Sequence, residues 1–143
     1  MRDKAMWNKR GAGEYALAFL IGAIVYPIIE IMWRGHTHIS MALLGGICMS
    51  FIYFIYHAFS YRPIIFRALL STLMISAWEL LFGAVLNIAF GMDIWDYSDM
   101  PLNFMGQVCL PYASLWLLLS FPAFVVCHYL RAILQTKGKR ASG

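Results

Sequence analysis

Four long apolar runs, divided by short polar clusters, take up most of the chain. They cover residues 15–33, 39–59, 64–90 and 108–130. Each is long enough for a helix to cross about 30 Å of hydrocarbon, which takes roughly 20 residues. A span in lipid must satisfy its own backbone hydrogen bonds, so these runs predict helices rather than open strands. The third and fourth exceed the minimum and predict tilt, a kink or emergence from the membrane. The pattern therefore predicts an all-α integral membrane protein with four transmembrane helices. They form a single transmembrane domain over residues 1–143, with an outer loop at 91–107.

Composition sharpens this picture. The chain is 62% hydrophobic and 13% charged, against roughly 45–50% and about 25% for soluble domains. A soluble core of this size could not hide so much apolar surface, so the lipid bilayer is the implied solvent. The net charge of +4 does not point to nucleic acid, because the charges flank the apolar runs instead of lining one helix face. Arg2, Lys4, Lys9, Arg10, Arg62, Arg67, Arg131, Lys137, Lys139 and Arg140 fall on one side of a four-pass topology, and only Arg34 falls on the other. By the positive-inside rule both termini are cytoplasmic. The first run is too long for the apolar region of a signal peptide, and no small-residue cleavage site follows it. It is read as a retained helix. The three cysteines, Cys48, Cys109 and Cys127, lie inside apolar segments and read as buried small hydrophobes.

Two pairs of segments hint at an internal repeat. Gly22-Ala23-Ile24-Val25, Trp33-Arg34 and Gly45-Gly46-Ile47-Cys48 run parallel to Gly83-Ala84-Val85-Leu86, Trp95-Asp96 and Gly106-Gln107-Val108-Cys109. A duplication would make a parallel two-helix tandem repeat.

Ionisable groups within a span are costly, at about 2.5–3.5 kcal/mol at mid-helix, and tend to mark sites. Glu30 lies near the outer end of the first helix and Glu79 near the middle of the third. Glu30 and Arg34 share a helix face, which suits either an interfacial ion pair or a substrate contact in an outer vestibule. Glu79, Gly83 and Asn87 also share a face, either as a polar packing seam or as a polar lining that leads inward. His36 and His38 are weak metal candidates. The segment Gly91–Cys109 is acidic, aromatic and broken by Pro101 and Gly106, so a lid over the outer mouth and an interfacial belt are both open readings. Phosphate-loop, nucleophile-elbow and zinc-helix motifs are absent, and no cofactor is implied.

The string Glu79, Gly83, Trp95-Asp96-Tyr97-Ser98, Pro101, Asn103, Gly106, Ser114 and Trp116 resembles the ABC-transporter type IV (CmpB-like) family of small bacterial membrane permeases. Trp33-Arg34-Gly35 and Ser40-Met41 resemble shorter members. The resemblance implies a subunit in the bacterial plasma membrane that works with a separate ATPase. The family pattern carries a second acid where this chain has Asn87, and a glycine where it has Leu117.

The leading expectation is a transporter or permease subunit. Its polar, outward-facing site would be built from Glu30, Arg34, Glu79, Asn87, Trp95, Asp96, Tyr97 and Asn103, and would contact a small polar or cationic solute. Four helices are few for a complete pathway, so a homo-oligomer is expected, with Gly45-Gly46 and Gly83 as close-packing surfaces. A membrane-embedded enzyme acting on a lipid or isoprenoid is the first alternative, less favoured than a non-enzyme. A structural or sensory subunit of a membrane complex is the second.

Overall fold

A computed structural model describes residues 2–141, with side chains from residue 11 onward. The N-terminal bases Arg2, Lys4, Lys9 and Arg10 thus fall outside the described side chains. Helix α1 runs Arg2–Arg34, α2 Ile39–Ala58, α3 Ile64–Gly83 and α4 Leu110–Ala141. A wider π-helical turn, Ala84–Ala89, extends α3. Four segments, Gly11–Arg34, Ile39–Ala58, Ile64–Ala89 and Leu110–Ala141, are long and apolar enough to span a bilayer. The protein is a four-helix multi-pass membrane protein. Helix α1 extends well before residue 15, and α4 continues past 130, so the polar flanks stay helical beyond their apolar stretches.

The helix ends follow local chemistry. Gly35 closes α1 in the left-handed region (φ 79°), and its N–H donates to Ile31 O at 2.8 Å. Such a φ is costly for a residue with a Cβ. His38, extended at φ −130° and ψ 151°, caps α2 by accepting from Ser40 N through Nδ1. Pro27 and Pro122 lie inside α1 and α4.

Helix α2 is the most enclosed. Met41, Leu44, Cys48, Ile52 and Ile55 are buried on it, whereas α1 leaves Leu20, Ile24, Ile28 and Met32 exposed to the surroundings. Helices α1 and α2 meet through glycine. A Cβ added at Gly45 would come within 2.5 Å of Tyr26 Cβ and 2.6 Å of Gly22 O. One added at Gly46 would meet the Phe19 ring at 2.7 Å. In lipid, where the hydrophobic effect does not drive helices together, such close approach is what dispersion forces require. Gly83 meets the Gln107 side chain in the same way. The glycines expected to offer surfaces to a second copy are therefore occupied within this chain.

The inward face of α3 is a straight seam of Ala68, Ser71, Ile75, Glu79 and Gly83, and it continues to Asn87 in the π-helical turn. Residues four apart drift by about 40° on a 3.6-residue helix. The wider π turn at Ala84–Ala89 counters that drift and keeps Asn87 on the seam.

The loop between α3 and α4 holds a two-residue antiparallel hairpin, β1 Asn103–Phe104 with β2 Val108–Cys109, paired as Asn103↔Cys109 and Phe104↔Val108. The apolar pattern gave no sign of it. Val108 and Cys109, expected to begin the fourth helix, are strand instead.

Candidate functional site

Two clefts and one knot of polar groups lie at and below the end of the bundle that carries this loop. The knot is built from Asn87 outward. Its Nδ2 donates to Trp95 O at 3.0 Å and to Gln107 Oε1 at 2.8 Å, and its Oδ1 accepts from Ile94 N at 2.7 Å. Trp95 Nε1 donates to Gln107 O at 3.0 Å, and Gln107 Nε2 to Met105 O at 3.0 Å. Tyr97 N donates to Gly106 O at 2.7 Å. Asn103 donates to Ser98 O and Met100 O and accepts from Gly106 N. Asp96 accepts from the amide and the hydroxyl of Ser98. Those two donors hold its carboxyl below the usual carboxylate range.

The loop is thus knitted by its own side chains into a fixed cover. Asp93, Leu102 and Met105 hold positive φ within it (48°, 52° and 55°). Such backbone costs of order 1–3 kcal/mol per residue and persists only where the surroundings over-determine it. The side-chain amide at 87 is fully used by its contacts to Trp95, Gln107 and Ile94. It supplies two donors and one acceptor, and an acid could not donate to both acceptors.

Glu30 is held at both oxygens. Oε1 pairs with Arg34 at 3.2 Å, and Oε2 accepts from the Thr37 hydroxyl at 2.7 Å. Arg34 also donates to Ile94 O at 2.8 Å, which ties the end of α1 to the loop. His36 contacts Arg34, and His38 caps α2. The described residues contain no group of three or more His, Cys, Asp or Glu placed to hold a metal.

Glu79 is different. It is 3% exposed and forms no hydrogen bond of standard geometry among the described residues. The indole N–H of Trp116 interacts with its carboxyl and has no other partner among the described residues. Glu79 lies in the wall of a cavity of about 280 Å³, with Gly22, Tyr26, Cys48, Trp116 and Ser120. Ser120 is already engaged, donating to Trp116 O at 2.8 Å. Glu79 is therefore the one carboxyl in a mostly apolar space, with the Trp116 indole as the donor beside it.

A second cleft, about 350 Å³, lies toward the loop and is bounded by Tyr26, Glu30, Arg34, Tyr97, Tyr112 and Trp116. Tyr26, Ile29, Trp116 and Leu119 belong to both walls. Tyr26 interacts electrostatically with Glu79, Glu30 and Tyr97. Tyr97 stacks on Tyr112 at 4.5 Å between ring centroids. Burial, followed by the charge of Glu79, holds the Tyr97 hydroxyl well above the usual phenol range, so it stays a neutral donor.

Of the residues expected to form the site, Glu30, Arg34, Glu79 and Tyr97 line the two clefts. Asn87, Trp95, Asp96 and Asn103 build the cover. Sequence reasoning missed Gln107, whose side chain and backbone serve four of the cover's hydrogen bonds, and Tyr112. An isolated amide next to a glycine carries no signal by itself. The family described as "Putative ABC-transporter type IV" matches the chain over residues 15–141. No solved structure matches it.

Proposed function

Because the chain belongs to the ABC-transporter type IV family, we propose that it is a permease subunit whose solute path follows the two joined clefts from the knitted loop to Glu79. The observation that carries this reading is that the two cavities lie side by side, with Tyr26, Ile29, Trp116 and Leu119 in the lining of both. A mostly apolar space with one buried carboxyl suits an apolar body carrying a single cationic or donor group. The Glu30–Arg34 pair lies at the mouth, and Tyr97 supplies a neutral hydroxyl there. The family implies a separate ATPase as the energy source. A second copy of the chain would complete the pathway.

Phenethylammonium is a suitable probe for the purified chain in neutral detergent, with uncharged 2-phenylethanol as its control. Trp116 lines both clefts, so its fluorescence reports occupancy, and Trp116→Phe identifies the signal. Glu79→Gln should weaken phenethylammonium binding about tenfold or more, which is at least about 1.4 kcal/mol. It should leave 2-phenylethanol binding unchanged. Equal affinity for phenethylammonium in wild type and Glu79→Gln would remove Glu79 from the path.

In this reading the basic end, with the 59–63 link and both termini, faces the cytoplasm of a bacterial cell. The native cysteines are buried, while Tyr61 and Leu102 are 72% and 77% exposed. A membrane-impermeant thiol reagent applied to intact spheroplasts should label Leu102→Cys and spare Tyr61→Cys. The reverse pattern would invert the topology.

A further inference from the structure

At the end of the bundle away from the knitted loop, α2, α3 and α4 enclose a cavity of about 400 Å³. Its wall carries His57, Arg67, His128 and Arg131, and no acid. Nε of Arg67, Nε of Arg131 and Nε2 of His57 are buried there without a hydrogen-bond partner among the described residues.

Arg67 is held rigidly. Its guanidinium lies 4.8 Å from the centroid of Tyr56 and 5.9 Å from that of Phe124, and it donates to Tyr56 O at 3.0 Å. Those contacts occupy its faces and one of five donors, so the rest of the fork is uncommitted. Arg131 makes no hydrogen bond or ion pair with any described residue. Glu14 interacts electrostatically with His57 of this wall. It accepts from the Tyr53 hydroxyl and pairs with neither arginine.

Two guanidinium groups on one cavity repel unless an anion lies between them. Water can satisfy their N–H groups but brings no countercharge. The arginine fork matches the oxygens of a phosphoryl group in pairs. The level is also right for a lipid headgroup. His57 lies one residue before the end of α2, Arg67 in the first turn of α3, and Arg131 just after the long apolar run 108–130.

We propose that this pocket is a phosphoryl-binding site, filled by the headgroup of an anionic lipid or by a free phosphate. It is separate from the Glu79 passage and stands or falls without it.

The test uses the full chain in neutral detergent and reads the melting temperature. Short-chain phosphatidylglycerol and inorganic phosphate are titrated separately, against chloride at matched ionic strength. A saturable rise with one or both is expected. A rise with the lipid alone makes the headgroup the occupant, and a rise with inorganic phosphate makes soluble phosphate sufficient. Arg67→Gln and Arg131→Gln should each weaken the effective probe about tenfold or more. Arg67→Gln also loses ring contacts and can fail to fold. Arg131→Gln has no such contact, so it carries the test alone if needed. A flat response to both probes overturns the proposal, and is the result expected if a carboxylate of a partner protein fills the pocket. Unchanged affinity in Arg131→Gln overturns it as well.

Discussion

Gly45→Val should abolish recovery of folded, monodisperse protein, while Gly13→Val should leave recovery intact. The two glycines lie on neighbouring helices, but their surroundings differ. A Cβ at Gly45 meets Tyr26 Cβ at 2.5 Å and Gly22 O at 2.6 Å, whereas one at Gly13 meets nothing within 4 Å. The obstacles at Gly45 lie on or next to α1's own backbone and cannot swing away as the tip of a side chain could. Helices α1 and α2 must then separate along their contact. Overpacking costs typically about 1–3 kcal/mol, and a rigid obstacle puts Gly45 at the upper end or beyond. Loss of dispersion contact along the seam adds to it, with no hydrophobic effect in lipid to compensate. Size-exclusion profiles and melting temperatures of the two variants in the same detergent check this. Equal stability would mean that α1 and α2 do not approach as closely as described. Gly22 and Gly45 also line the Glu79 cavity, so the same seam shapes the proposed path.

Asn87→Leu should loosen the loop without unfolding the helices. Leucine nearly keeps the volume but leaves Trp95 O, Gln107 Oε1 and Ile94 N without their partner. A stranded buried polar group costs about 1–3 kcal/mol. Three of them, partly rehydrated as the loop opens, amount to about 3–5 kcal/mol. That is enough to release the positive-φ residues Asp93, Leu102 and Met105. Hydrogen exchange at the Ile94 and Tyr97 amides should accelerate by at least about a hundredfold, with α2 amides unaffected. Asp99→Asn, an exposed change in the same loop, should do neither. Unaltered exchange in Asn87→Leu would show that the hairpin and aromatic stacking alone hold the cover.

The residues differ in how far their roles were legible along the chain. Glu79 stood out because a carboxylate amid apolar residues is expensive, and the fold keeps it buried beside the Trp116 indole. Glu30 and Arg34 were four apart on a helix, and they pair. Asn87 drew notice for its register with Glu79 and Gly83. Its partners, the carbonyl of Trp95 and the amide of Gln107, could not be foreseen, because a loop's path depends on hydrogen bonds between residues with no fixed spacing. Arg67 and Arg131 read only as topology markers. Their sharing a cavity depends on how α3 and α4 pack.

Hydropathy alone determined four spans, and the placement of Lys and Arg pointed to the same alternation of sides. Both are properties of a segment and its solvent, so no long-range contact enters them. Which glycine meets which backbone, that the loop ties itself to Asn87, and that Glu79 lines a mostly apolar cavity were decided only by tertiary packing. In lipid every helix face is acceptable to the solvent, so an apolar sequence does not say which face turns inward. Close fit and the pairing of the few polar groups make that choice.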